Sequence, residues 1–518
     1  MKRILYVLLF TAIPVLTFAQ HKPDNVAIEI TDFIKIEKTE EFNEVVGRVN
    51  STFYIRGVED NFLSVFVYDL DMNLKNKNVI EMKYGKKKTE FLKMVQIEDV
   101  FYLFTFYKDK KTKIEYVFHQ ILDNETLELS DHEVVSQNSY AEYSRWTTFS
   151  YFFRKSLNGK YLMMSTFYPG VKEKKSHYDF VVYGANMESI WDYPNYWKET
   201  TREEEKKYEF VSMEVDNQGN VWQVQEVSRN KDKLVDDEIY YTLQVDFYSK
   251  ETQENTILEP ELEGNFITQL HIQRIKNGEY KMVGFYTDKL LNQKGVFNIT
   301  YDQNFTKMNE ELTEFPSGFI VQEGSERAKK KSKNAKDKGK ENLIFEKYYF
   351  KELIENTDGS FTMLAEPFYS NSYGGEHPHT YYHYGNVVVV NFEEDGSVNW
   401  MDVIPKKQST KDRDDHGGYV LMLLSNGDLA FIYNDRDDNA NYEETGTFGA
   451  WRGVIDEANV AMYVLDSEGK GTRSILFSGE EVHVLLKRDV RIILDDDELV
   501  FVASTRKRYK MVKLTFKF

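Results

Sequence analysis

The densest group of side chains able to do chemistry is Glu376-His377-Pro378-His379, with His383 four residues further on. On extended backbone, residues separated by an even number share a face, so His377, His379 and His383 would point to one side. Neutral imidazole binds zinc or copper and a carboxylate can complete the set, so one expectation is a divalent-metal site made of Glu376, His377, His379 and His383. The competing expectation is a polar loop, in which Tyr373, Tyr381, Tyr382 and Tyr384 pack while the histidines face water. No other cofactor is required by any motif.

Asp435, Asp437, Asn439 and Asn441 form an alternating series of oxygen donors. It departs from a calcium loop where that loop is most demanding, with Ala440 in place of glycine and Gly446 in place of a bidentate glutamate. An acidic, solvated loop is therefore expected there. The aromatic run from Trp191 to Trp197 has the side chains to stack on sugar rings, but large aromatics between neighbouring sheets more commonly fill space, and packing is the favoured reading. Trp400 is read in the same way.

The chain has no cysteine, no Gly-x-Ser-x-Gly elbow, no phosphate-cradling glycine loop and no His-Glu-x-x-His. These absences remove the usual signatures of nucleophile-and-base enzymes. Acidic residues are abundant, yet the paired carboxylates of a glycosidase are a spatial property that abundance does not reveal.

The elements that must position these residues are hairpins. Tyr349 to Ile354, a turn at Asn356 to Gly359 and Ser360 to Ala365 make one hairpin; Asn386 to Phe392, Asp395-Gly396 and Val398 to Met401 make the next. Asp-Gly between β-rich runs is a strong hairpin signal, because glycine accepts the backbone conformation of a tight turn. Four strands in this span suit one propeller blade, and its central loop, Tyr369 to Gly385, holds the histidines.

Similar units recur about every 50 residues. They run over 44–83, 91–135, 149–197, 208–259, 266–315, 348–405 and 419–478. The end of the chain, 489–518, has three strands, and Val26 to Ile36 is a strand without a hairpin partner. Pairing the two would close a ring and remove exposed edges. The expected fold is all-β: a single β-propeller of about eight four-stranded antiparallel blades, with seven as the alternative, closed by its N- and C-terminal strands. The lysine-rich stretch 328–341 has no apolar periodicity and reads as a solvated insertion.

Lys2 and Arg3, the apolar run Ile4 to Leu16 and the small-residue end Thr17-Phe18-Ala19 read as a secretory signal peptide over 1–19, leaving a propeller over 20–518. Without cysteine the chain cannot be anchored as a lipoprotein, so a periplasmic or extracellular protein without membrane insertion is expected. The formal charge is −19, and loss of Lys2 and Arg3 makes it −21. Such an acidic chain repels nucleic acid and anionic membranes, while 15% aromatic residues support a large core.

The leader, the lack of cysteine, the tyrosine-rich units and the run from Gly396 to Trp400 through Ile404 to Gln408 together resemble uncharacterised secreted bacterial β-propeller proteins. The resemblance covers chiefly the units at 348–405 and 419–478, and it implies architecture without any catalytic residue. WD40 and kelch signatures are absent. Two functions are left: a monomeric, non-enzymatic binding or scaffold module for a protein or cell-envelope component, or a hydrolase of an extracellular polymer such as a polysaccharide, using channel-facing carboxylates.

Overall fold

A computed structural model describes residues 23–37, 40–143, 147–170, 177–193, 208–228, 241–287, 293–316, 319, 348–374, 378–441, 448–505 and 508–518. The leader, the lysine-rich stretch and Trp197 lie outside these, as do Glu376 and His377.

Eight blade sheets form in succession, so the chain is an eight-bladed propeller and not a seven-bladed one. The innermost strands are Glu44–Val49, Glu90–Ile97, Ser150–Lys155, Tyr208–Val215, Phe266–Arg274, Tyr348–Glu355, Val420–Leu423 and Leu485–Asp495. Blade eight has three strands from the C-terminus, and the N-terminal strand Val26–Ile30 supplies the fourth. The closing register pairs Val26 with Phe516 and Ile30 with Val512. Closure by an edge strand from the far end of the chain leaves no open sheet edge at the seam.

Apolar residues cluster between blades. Phe53 and Ile55 of blade one pack with Val500, Val502, Tyr509 and Met511 of blade eight; Leu364, Val387 and Val389 of blade six pack with Phe431, Tyr433 and Ala461 of blade seven. Strands buried on both faces read as continuous apolar runs, which is why Val387 to Val390 is fully buried. Trp191 is buried in the same way, its Nε1 donating to the Gly219 carbonyl at 2.9 Å, so the first half of the aromatic run does pack. Among the described residues no helix is long and apolar enough to cross a membrane.

Chain direction makes the two ends of the ring unequal. Within every blade the first-to-second and third-to-fourth turns lie at one end, which we call the turn face. The second-to-third connections and the crossings to the next blade lie at the other, the connector face. The turn face is built from short Asx turns: Asp216 Oδ1 accepts from Gln218 N and Asn220 N, and Asp302 Oδ1 from Asn304 N and Thr306 N. Most of the longer segments join strand ends on the connector face, at 140–149, 194–207, 229–240, 315–347, 405–419 and 437–457; the exception is 123–132, between the third and fourth strands of blade two on the turn face.

Blade six corrects one expectation. Tyr369–Tyr373 and His379–Tyr384, expected within one loop, are strands. The second strand continues for 13 residues, Phe361–Tyr373, and beyond Pro367 it pairs with a new strand, His379–Tyr384, which in turn pairs with Gln408–Lys411. Pro367 brings no N–H to a ladder, and its carbonyl accepts from Gly385 N at 3.1 Å, marking where the blade ends and this three-stranded extension begins.

Candidate functional site

The extension rises from the connector face and its two sides differ. Alternation along the strands sends Phe368, Tyr382 and Tyr384 to the inner side. Phe368 and Tyr384 lie with ring centroids 4.9 Å apart. Cations cover them: Lys351 Nζ is 5.8 Å from the Phe368 ring, while Lys406 Nζ and Arg488 Cζ are 5.4 and 5.7 Å from Tyr384. Arg488 Nη1 also donates to the Tyr384 hydroxyl at 3.1 Å. Gly417 is required here, because a Cβ on it would lie 2.3 Å from Tyr384.

Beneath these rings Lys406 and Glu366 form a buried ion pair, 0% and 2% exposed. Lys351 approaches the second Glu366 oxygen at 3.4 Å. Burial lowers the Lys406 pKa and Glu366 opposes that fall. Gln408 completes the base: its Nε2 donates to the carbonyls of Asn434 (2.7 Å) and Gly418 (3.2 Å), and its Oε1 accepts from Gly418 N (2.7 Å). The extension is thus tied to blades seven and eight.

On the outer side Tyr369 stacks on His383 and Tyr373 meets Tyr381 edge-on, at 4.5 and 5.9 Å. His379 Nδ1 pairs with Asp412 Oδ2 at 2.7 Å, and Thr380 N donates to Asp412 Oδ1 at 2.9 Å. His379 and His383 stand four residues apart on one strand, which separates their Cα atoms by about 13 Å. Of the expected metal set, therefore, the two histidines within the described residues share a face without converging. Among the described residues no three His, Asp or Glu side chains gather closely enough to hold a metal ion.

The central channel holds a cavity of about 550 Å³ between the inner strands of blades three to six. Lys351 and Glu352, consecutive at a one-residue register shift, are among the residues that line it. Burial raises the Glu352 pKa against the pull of Arg491, and burial raises that of Glu214 against Arg154, whose Nε lies 3.2 Å away. His271 stacks flat on Phe350 at 4.1 Å, and burial pushes it down to about 4, so it is a neutral imidazole at pH 7.

The oxygen series at 435–441 proves structural. Asp435 is fully buried, paired with Arg473 at 2.6 Å and accepting from Asn439 Nδ2 at 2.7 Å. The chain then turns into a 3-10 helix, Asp437–Asn441, in place of the acidic solvated loop, although Asp437 itself is exposed. Arg473 lies on the outer strand of the blade, and a partner 38 residues away leaves no trace in local spacing. Sequence reasoning also missed Glu366 and Lys406, which carry no motif.

No family model matches the chain and no curated protein does. Among solved structures the chain is similar to the β-propeller domain of the Trilobed protease from Pyrococcus furiosus, at 9% identity over 71% of this chain and 98% of that one, with a TM-score of 0.30. An uncharacterised protein from Listeria monocytogenes EGD-e is 12% identical over 73% and 88%, with a TM-score of 0.32. The N-terminal domain of Nup159 is 9% identical over 96% and 97%, with a TM-score of 0.34. The blade assignment rests on the strand pairing described above.

Proposed function

We propose that this chain is an exported, non-enzymatic β-propeller that binds a protein or cell-envelope component across its connector face, with the blade-six extension at the centre of the contact. One observation carries the reading: apart from 123–132 in blade two, the connections of ten residues or more open on one end of the ring, and the extension stands on that end, braced by a buried ion pair. Binding residues concentrate on loops held by a rigid scaffold, and in this ring such loops gather chiefly on the connector face.

The alternative, polymer hydrolysis in the channel, draws on Glu214 and Glu352. A glycosidase needs two carboxyl groups set roughly 5–9.5 Å apart with separated roles; here Glu214 is held in an ion pair with Arg154 at 3.2 Å, and Arg491 opposes the effect of burial on Glu352. Affinity capture from envelope extract with the mature chain and with a Tyr369→Ser, Tyr373→Ser variant separates the readings. A component recovered by the first and lost by the second supports binding. Equal capture by both, or polysaccharide turnover lost in Glu214→Gln or Glu352→Gln, would overturn it.

Divalent-metal binding belongs to the same proposal. A carboxylate on one imidazole nitrogen is the usual support for a metal-binding histidine, and Asp412 provides it for His379. Glu376 and His377 are the neighbours placed in sequence to join it, with His383 too far along the strand to share one ion. Calorimetry with zinc should release heat in the wild type and lose it in a His377→Ala, His379→Ala double variant; negligible heat in both removes the site.

A further inference from the structure

The outer side of the blade-six extension carries exposed aromatic side chains. Tyr369 is 52% and Tyr373 62% exposed, although large aromatic side chains are ordinarily buried and dominate cores and interfaces. Register sets Tyr369 opposite His383 and Tyr373 opposite His379, with Asn371 and Tyr381 between them. The third strand adds Ser409 beside His383 and Lys411 beside Tyr381. Rings therefore alternate with hydrogen-bonding groups along one sheet face.

We infer that this face is a binding platform for a neutral polysaccharide. The inference rests on the connector-face reading and names the chemistry of its partner. A pyranose presents a C–H face that lies against an aromatic ring and equatorial hydroxyls that reach polar groups at the ring edge; the platform offers both kinds of contact. Tyr369 and Tyr373 are four residues apart on one strand, about 13 Å, which exceeds one sugar ring and selects a chain of sugars over a single one. Charge selects among polymers. The protein carries a formal −19, which repels acidic glycans, while Lys411 and Asp412 leave the platform itself close to balanced.

Preorganisation favours the same ligand. The inner side of the extension is fixed by Phe368, Tyr384 and the Lys406–Glu366 pair, and Asp412 N donates to the Thr380 carbonyl at 2.7 Å. A platform held in this way loses little freedom on binding.

The test is affinity electrophoresis of the mature chain in gels containing neutral polysaccharides (glucan, mannan, xylan) and, separately, alginate as an acidic polymer. At least one neutral polymer should retard the wild type while alginate does not. Tyr373→Ala should weaken retardation about tenfold, the loss of an aromatic anchor, and Tyr373→Phe, which keeps the ring, should remain within about threefold of wild type. Thermal melting of each variant reports that it is folded. Absence of retardation by every neutral polymer, or equal retardation of wild type and Tyr373→Ala, overturns the inference. If envelope capture still depends on Tyr369 and Tyr373 while no polysaccharide binds, the partner is a protein and only this inference fails; if capture is independent of both tyrosines, the connector-face reading fails with it.

Discussion

Tyr369 and His383 stack across the blade-six extension with ring centroids 4.5 Å apart and planes 20° from parallel. The stack sits on the solvent side of a sheet whose other side is anchored in the ring, so the aromatic ladder is displayed and not part of the core. Tyr373→Ala should then change folding stability by less than about 0.5 kcal/mol, as for other surface substitutions. A urea melt that loses about 2 kcal/mol would mean that the ring supports the fold.

The anchor should behave oppositely. Glu366→Ala leaves the Lys406 ammonium buried without its partner, which costs about 3–5 kcal/mol. Replacing both, as Glu366→Leu with Lys406→Met, should restore most of that loss, because a buried pair exchanged for apolar residues is close to neutral. Chemical denaturation of the three proteins measures the pattern; additive losses in the double variant would contradict it.

Blades two and three share another buried carboxylate. Glu115 is fully buried, accepts from the Tyr151 hydroxyl at 2.8 Å on one oxygen, and leaves the other without a hydrogen-bond partner among the described residues. Burial raises its pKa, with the Tyr151 bond opposing that rise. A raised carboxyl stabilises the fold fully below its unfolded value of about 4.3 and loses that contribution as pH rises through the folded value. Glu115→Gln removes the titration, so wild type should lose stability relative to the variant as pH rises above about 4.3. Parallel stability curves would show that Glu115 does not titrate in this way.

Trp400 and Gly469 lock blades six and seven. Trp400 Nε1 donates to the Ser467 carbonyl at 2.9 Å, and Gly469, at φ +77°, lies so close that a Cβ would meet the indole at 2.5 Å. Gly469→Ala combines left-handed strain with this clash and should cost at least about 1–3 kcal/mol. A melting temperature equal to wild type would place the indole elsewhere.

The ring was readable because its turns are local. Asn356 to Gly359 and Asp395-Gly396 announce hairpins without reference to the rest of the chain, and the three-stranded end with the lone strand at Val26 marks the closure, since an unpaired edge is unfavourable. Trp400 was likewise readable as a packing residue. The extension was not, because Gly374 and Pro378 lie between its strands, and its third strand comes from 408–411, beyond the rest of blade six. Asp435 was misread for a related reason: its charge is answered by Arg473 on another strand, and pairing in space is invisible to spacing along the chain.

The most direct test of the connector-face account is amide hydrogen exchange on the mature chain, alone and bound to the component it captures from envelope extract. The account predicts new protection over 368–373, 379–384 and 408–411, with the Asx turns at 216–220 and 302–306 unchanged. Protection confined to those turns, or to the channel strands at 211–217 and 268–274, would contradict it.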